Sequence, residues 1–447
     1  ILDAVMVLLT QDPKVPGRVT GSPGAAVYAV AHTGEDALAP LRFRLKEVKA
    51  LAAEAPFQAA GQSFPAGTFL FPAQGNSADL RRRLETVANE LGLTVHGLDA
   101  MPAVPTHEVA VPRIAILHTW TSTQNDGWYR YEFDRLRIPY DYIAVQTIRD
   151  TPELRRRWDV IVLPPVGNSA QALVNGVPRH HPEPIPWKRS DLTPNIGLSP
   201  AQTDDIRGGI ELQGMANLQR FVEEGGLFVV VGGTARLPID YGLVTGVSIA
   251  EPQQLRARGS VFQASVVDRL SPIAYGYDET LAVYFNQSPL LQVAFGGGGG
   301  GGTIGRPSGR GSLTDPDIPQ GRPPQPGRFP SDAGPSEDER RAGTASLFEV
   351  PASLRPRVVV RFATDERQLL VSGMLAGGGE LAGRPAVVDV PVGKGHVVIF
   401  AIHPMWRHQT QGSICLLLNA AIHYNHLGAG RAASPRGEAR PRRGTGG

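Results

Sequence analysis

Four short apolar runs decide most of what this chain can become. After Pro112 the sequence places "RIAILHTW", "DYIAVQ", "WDVIVLPP" and "LFVVVGG" in order, with the helix-like stretches "DGWYRYEFDRLRI" and "GMANLQRFVEEGG" between them. The runs are continuous and rich in Val and Ile rather than alternating. Both faces of each strand must therefore be covered, the condition of a parallel sheet between helices. "FVEEGG" stops a helix on glycine and feeds the next buried strand. The expected fold class is α/β, with a doubly wound, mostly parallel open sheet. Ligands of such sheets sit outside the carboxyl ends of the strands.

Upstream, residues 23–104 alternate strand-like and helix-like pieces and predict a small α/β domain after a leading linker, 1–22. In "LRRRLETVANELGL" the apolar residues recur at helical spacing, and Ser77 is placed to cap the start. Prolines at 102, 105 and 112 favour a second linker over 105–112. The sheet domain is expected over 113–295 and to be completed by 346–427. Between these parts, 296–345 opens with seven consecutive glycines and continues rich in Pro, and is expected to be a flexible or extended insertion. Residues 166–210 predict an excursion over the carboxyl edge of the sheet, and 428–447 a disordered tail. The chain opens "ILDAVMVLLT", and Ile1 is read as a cut end.

Charge announces no partner. The 44 Lys and Arg stand against 42 Asp and Glu, which gives no electrostatic footprint for nucleic acid or a membrane surface, and no apolar run is long enough to span one. A single cysteine, Cys415, excludes an internal disulfide framework and a multi-thiolate metal site.

The most informative polar stretch runs from Trp120 to Arg130, following the first strand of the sheet and opening a helix. Trp120, Gln124, Asn125, Asp126, Trp128 and Arg130 are candidates for a recognition loop at the ligand edge. The equally weighted alternative is capping by Asn125 or Asp126, with Trp128 and Arg130 packed on the core. His403, Trp406 and Arg407 follow another strand. Pro404 makes their segment a turn, so a structural corner is expected, with Trp406 buried, Arg407 bonded to carbonyls or a carboxylate, and His403 satisfied locally. His32 and Glu35 have the HxxE spacing of a zinc site, but without a third ligand in company they read as a turn before a helix. His423 and His426 are three apart at a helix end, where His also suits the dipole, and His180 and His181 need ligands from elsewhere to bind metal. Cys415 lies inside the apolar helix "SICLLLNAAI" rather than on a strand-to-helix elbow, so it is expected to be a buried hydrophobe. Ser169, in "GNSAQ", lacks the flanking glycines of a serine elbow. No catalytic residue and no metal ligand are assigned.

Several stretches in order, "PRIAILHTWTSTQNDGWYRYEFDRLRIPYDYI", "WDVIVLPP", "GGIELQGMANLQRFVEEGGLFVVV", "PIAYGY" and "GKGHVVIFAIHPMWRHQTQGSICLLLNA", resemble the carboxyl-terminal region of large bacterial zinc carboxypeptidases of the M14 type. The likeness covers most of residues 20–290 and 345–425. It implies a flavodoxin-like fold of the class I glutamine amidotransferase kind, inactive because the nucleophilic cysteine is missing. It also implies a secreted or periplasmic parent that removes carboxyl-terminal residues from peptides, with zinc held in a peptidase domain upstream and no cofactor in this chain. The expected role is a non-catalytic accessory region, acting in substrate presentation, domain packing or oligomerisation. Its implied partners are the upstream peptidase domain, a peptide substrate and further copies of itself. The alternatives are a self-assembling structural protein and a degenerate amidohydrolase or amidotransferase using Ser169 or a histidine cluster.

Overall fold

The computed structural model of the chain describes residues 7, 8, 10, 11, 15–167, 169–180, 182–191, 193–293 and 354–431. The insertion expected over 296–345, His181, residues 432–447 of the tail and parts of the leading stretch lie outside the described residues.

The amino-terminal part builds β1 (Arg18–Thr20), β2 (Val27–Val30), β3 (Leu51–Ala53), a hairpin of β4 (Phe57–Ala59) and β5 (Gln62–Phe64), β6 (Phe69–Pro72), β7 (Thr94–Leu98) and β8 (Thr106–Glu108). Apart from the hairpin these form a six-stranded sheet in the order β1-β7-β2-β6-β3-β8. Two strands lie inside stretches expected to be linkers: β1, within 1–22, where Arg18–Thr20 pair with β7, and β8, within 105–112. Pro105 precedes β8 and Pro112 follows it, so neither removes a donor from the ladder and the connection shortens to 109–112. Helices α1 (Leu38–Arg44) and α2 (Leu80–Leu91) pack on each other. Leu80, Leu84 and Ala88 place the buried face of α2 at a spacing of four, and Gly92 ends the helix in the left-handed region at φ 71°. Ser77 does not cap α2 with its side chain, because its hydroxyl donates to Asp79 instead.

The larger sheet uses β9 (Ile114–His118), β10 (Asp141–Ala144), β11 (Val160–Leu163), β12 (Leu227–Val231), β14 (Ser260–Val266), β15 (Thr280–Phe285), β17 (Arg357–Phe362), β18 (Leu370–Ser372), β19 (Pro385–Val392) and β20 (Gly395–Phe400). Beside it, β13 (Val247–Ala250) and β16 (Leu290–Val293) form a separate pair. Strands β10-β9-β11-β12-β20 are parallel neighbours. Counted along the chain, this order is 2-1-3-4-5, with the topological switch point between β9 and β11. Beyond β20 the sheet continues through β19, β17, β14 and β15 in antiparallel pairs. The change of sense follows from the tight turn at 392–395, which can only return the chain antiparallel.

The helices of this larger part include α3 (Asp126–Leu136), α4 (Ala170–Asn175) and α5 (Glu211–Glu223). A further one, α6 (Ile414–Ile422), is buried at every position. After α5, Gly225 adopts φ 103° and the amides of Gly225 and Gly226 bond back to Val222 and Phe221, which makes the stop expected from "EEGG". Strands β9, β11 and β12 are buried along their whole length. One apolar core runs through both sheets, joining Phe69 and Phe71 of β6 to Leu416 and Leu417 of α6, so the six-stranded sheet is docked on the larger one. Part of the tail is docked too: Arg431 donates to the Asp389 carboxylate and the Arg355 carbonyl. Among the described residues no helix is long and apolar enough to cross a membrane.

Candidate functional site

The carboxyl ends of β9 and β11 bound the crevice where the strand order reverses. The chain leaves β9 as Thr119-Trp120-Thr121 and β11 as Pro164-Pro165, and Asn125 ties the two exits by donating from Nδ2 to the Pro165 carbonyl at 3.0 Å. Asn125 therefore spans the crevice and makes no side-chain cap for α3.

Trp120 is 8% exposed. Its indole N–H donates to Oε1 of Gln146 at 2.9 Å, and Nε2 of the same Gln146 donates to the carbonyls of Ile206 and Gly208 at 3.1 and 3.2 Å. One glutamine thus holds the Trp120 loop and the returning end of the 166–210 excursion together. They enclose a cavity of about 270 Å³ lined by Thr119, Trp120, Thr121, Leu173, Val177 and Ile206 among others, with no charged side chain in its wall.

From the cavity wall, Trp120 meets the His118 ring edge-on with centroids 4.9 Å apart, and His118 leads to a polar group. Asp126 is 2% exposed; one carboxylate oxygen accepts from the Tyr142 hydroxyl, and the other has no hydrogen-bond partner. Burial pushes its carboxyl up to about 6 against the opposing pull of Tyr142, and the Tyr142 hydroxyl is itself pushed well up by burial and by Asp126. His118 stacks on Tyr142 with ring centroids 4.0 Å apart, and the Arg130 guanidinium lies 4.7 Å from the Tyr142 centroid. Burial takes His118 down to about 4, so it is neutral at physiological pH. Its Nδ1 lies 3.1 Å from the Thr119 carbonyl and must carry the proton there, which leaves Nε2 as a buried acceptor without a partner.

Among the described residues, eleven buried side-chain nitrogen or oxygen atoms lack a hydrogen-bond partner. Five of them fall within residues 118–130: His118 Nε2, Asp126 Oδ1, Trp128 Nε1, Tyr129 Oη and Arg130 Nε. Buried polar atoms are ordinarily paired, because an unpaired one costs about 1–3 kcal/mol. Their concentration in one stretch, from the end of β9 through the first turns of α3, sets this edge apart from the rest of the described residues.

Of the six recognition-loop residues, Trp120 lines the cavity, Asn125 bridges the strand exits, and Asp126 and Arg130 surround Tyr142. Trp128 is half-buried, and Gln124 is exposed on the loop. His118, Tyr142 and Gln146 went unassigned in the sequence, since they end, lie within or follow a strand and nothing local distinguishes them. The corner departs from expectation in three ways, the first being that Trp406 is half-buried rather than buried. Arg407 is exposed and lies over the Trp406 ring at 5.1 Å rather than bonding carbonyls, because the half-buried Trp406 spends its other contact stacking on Tyr284. His403 is not fully satisfied: burial takes it down to about 4, its Nδ1 lacks a partner, and it packs where a side chain on Gly232 would approach Nε2 to 2.6 Å.

The other candidates lie elsewhere. Ser169 caps α4, its Oγ accepting from the Ala172 amide at 3.1 Å. Cys415 is buried on α6, and burial pushes its thiol well up. The ring nitrogens of His32 are taken by Asn419 and the Gly34 amide, and Glu35 points to solvent. Among the described residues, no group of three or more His, Cys, Asp or Glu is placed to hold a metal ion.

No family model matches the chain. No curated protein matches it either. Among solved structures, the chain is similar to a ThuA-like protein from Parabacteroides merdae at 9% identity and a TM-score of 0.36, over 72% of this chain and 92% of that one. A ThuA-like protein from Bacteroides uniformis matches at 9% identity and 0.35, over 73% and 95%. A β-galactosidase from Bacillus circulans matches at 11% identity and 0.31, over 77% of this chain and 34% of the enzyme. Likeness at this level decides nothing about function, which has to be read from the residues.

Proposed function

We propose that this chain is a non-catalytic, peptide-binding accessory region of a secreted or periplasmic zinc carboxypeptidase-like protein, and that the crevice beside Trp120 holds one side chain of the bound peptide. In this reading the sheet is amidotransferase-like, zinc and hydrolysis belong to a peptidase domain upstream, and this chain presents substrate to it. The cluster of unpartnered buried polar atoms at 118–130, joined to an uncharged cavity of about 270 Å³ through the edge-on contact of His118 with Trp120, carries the proposal. A cavity of that size takes one side chain or a small molecule, not a length of peptide. With Trp120, Leu173, Val177 and Ile206 in its wall and no charge, it favours an aromatic or large aliphatic side chain. Asp126, His118 and Arg130 supply polar groups for the backbone alongside. The degenerate hydrolase is disfavoured by Ser169, whose Oγ serves the helix, and by Cys415, which sits in the core.

The test is calorimetric titration of the chain with short peptides that differ in one residue, Phe or Leu against Asp or Lys. Peptides with the apolar residue should bind, and Trp120→Ala should weaken them at least tenfold. Equal binding of the charged peptides, or turnover of any peptide by this chain that Ser169→Ala abolishes, would overturn the reading.

A further inference from the structure

A second concentration of titratable groups lies about the joint between the two sheets, away from the Trp120 crevice. Along α6, Cys415, Asn419 and His423 recur every four residues and so form one polar stripe on a helix that is otherwise apolar. The stripe faces the six-stranded sheet. Asn419 Oδ1 accepts from His32 Nε2, which follows β2, at 2.9 Å. His423 Nδ1 lies 2.9 Å from Nε2 of His107 on β8, and His107 Nδ1 lies 3.0 Å from the Glu54 carboxylate, which follows β3. The His426 ring stacks on His107 with centroids 4.8 Å apart.

Proton counting gives this chain a direction. Glu54 as a carboxylate can only accept, so His107 Nδ1 carries a proton. With His107 neutral, its Nε2 is an acceptor and His423 Nδ1 donates to it. One added proton is tolerated. His107 becomes doubly protonated and donates from Nε2, while His423 shifts its own proton to Nε2 and accepts on Nδ1. A second added proton is not tolerated. Both rings are then imidazolium, two N–H groups oppose each other across the joint, and the hydrogen bond between β8 and α6 is lost.

The surroundings oppose that charge. His423 and His107 are both held below the ordinary histidine range, first by burial, with the charges of neighbouring histidines acting the same way and Glu54 alone acting against it on His107. The titratable or charged groups facing the pair are Glu54, His32, His426 and Tyr275, with Arg357 acting on Tyr275 from β17, where it is ion-paired to Asp268. His423 Nε2 and the Tyr275 hydroxyl are buried without partners, so no acceptor among the described residues waits for the proton on His423 Nε2.

We infer that Glu54, His107 and His423 form an acid-sensitive clasp, closed at neutral pH and opened by protonation, that fastens the six-stranded sheet to the last helix of the larger sheet. A reporter is built into the same joint: the Ala110 amide, two residues beyond β8, donates to the carbonyl of Ile422, the last residue of α6, at 3.0 Å. If opening lets one histidine return to its ordinary pKa of about 6.5, the opening equilibrium rises about 25-fold between pH 7 and pH 5, and further if both are released.

Hydrogen exchange of the whole chain, corrected for the intrinsic pH dependence of exchange, tests this. Protection at Ala110 and at 419–423 should fall by about 25-fold or more from pH 7 to pH 5, and should stay below that of β12 at both pH values, since β12 opens only with the whole fold. His423→Phe, which keeps an aromatic ring beside Phe69 and Tyr275, should flatten the pH dependence at Ala110. Glu54→Gln, a surface-side change that serves if the buried variant fails to fold, should move the protonation midpoint of His107, read from its ring carbon proton by NMR, to lower pH. Equal protection at Ala110 and in β12 at both pH values would mean that the joint opens only by global acid unfolding and overturn the clasp. So would an unchanged profile in His423→Phe, or an unmoved His107 midpoint in Glu54→Gln.

Discussion

The carboxyl edge of β9 and the joint beneath α6 both bury histidines and carboxyl or amide groups, yet they treat them in opposite ways. At the edge, His118, Asp126, Trp128, Tyr129 and Arg130 each keep a buried polar atom that no protein group meets. At the joint, most polar atoms meet one another: Asn419 serves His32 and the carbonyls of Ile273 and Tyr275, and His107 links Glu54 to His423. Unspent hydrogen-bonding capacity is what a ligand can use, whereas mutual satisfaction fastens two layers and ties that fastening to proton count. Both regions are rich in polar side chains; what separates binding from architecture is whether those groups already have partners.

The largest way to strain the comparison is acid. His32 at the joint, His118 at the edge and His403 at the corner after β20 are each taken by burial to about 4. A histidine whose folded pKa is depressed leaves stability intact above its unfolded value of about 6.5 and loses it as pH falls toward the folded value, by about 2 kcal/mol each between pH 7 and pH 5. Urea unfolding across that range should show a steep loss of stability on acidification. A flat profile would mean that these rings are solvated.

Asn419→Ala should come next. It strips four hydrogen bonds, to His32 Nε2, the Cys415 thiol and the carbonyls of Ile273 and Tyr275, and should cost about 3 kcal/mol in the same assay. A cost below about 1 kcal/mol would say that the joint is wet.

Asp126→Asn should have the opposite sign. A carboxyl raised to about 6 favours the folded state at low pH and weighs against it as pH rises through that value, so removing the charge should stabilise the chain at pH 7 by about 2 kcal/mol. The same change should weaken peptide binding at the crevice. Stabilisation without loss of binding would move Asp126 out of the site. The smallest effect is expected from Ser169→Ala, which removes a helix cap worth about 1 kcal/mol and should leave peptide affinity unchanged.

How much of this was legible in the sequence depended on the range of the interaction. Continuous Val and Ile runs named β9, β11 and β12 because a strand buried on both faces has no polar side to display. The loop from Trp120 to Arg130 was legible as polar residues leaving such a strand, and four of its six candidates meet the crevice or its border. Gln146 was not legible, because its role is to bridge Trp120 and the carbonyls of Ile206 and Gly208, some 60 residues on, and no local pattern encodes that. The histidines of the joint were met singly, as HxxE at 32–35 and as His423 with His426. Their partners sit as far apart in the chain as His107 and His423, 316 residues.

Short-range pattern alone was enough for the α/β alternation, the burial of Cys415 in an apolar helix and the polar exit of the first large-sheet strand, because periodicity and turn chemistry act over a few residues. Only the tertiary structure decided that the large sheet turns antiparallel beyond β20, that the smaller sheet shares its core, and that five unpartnered polar atoms gather at one edge while histidines from two layers bond to each other at another. Pairing of buried polar groups is settled by which surfaces close on one another, and that choice is made by the whole packed core.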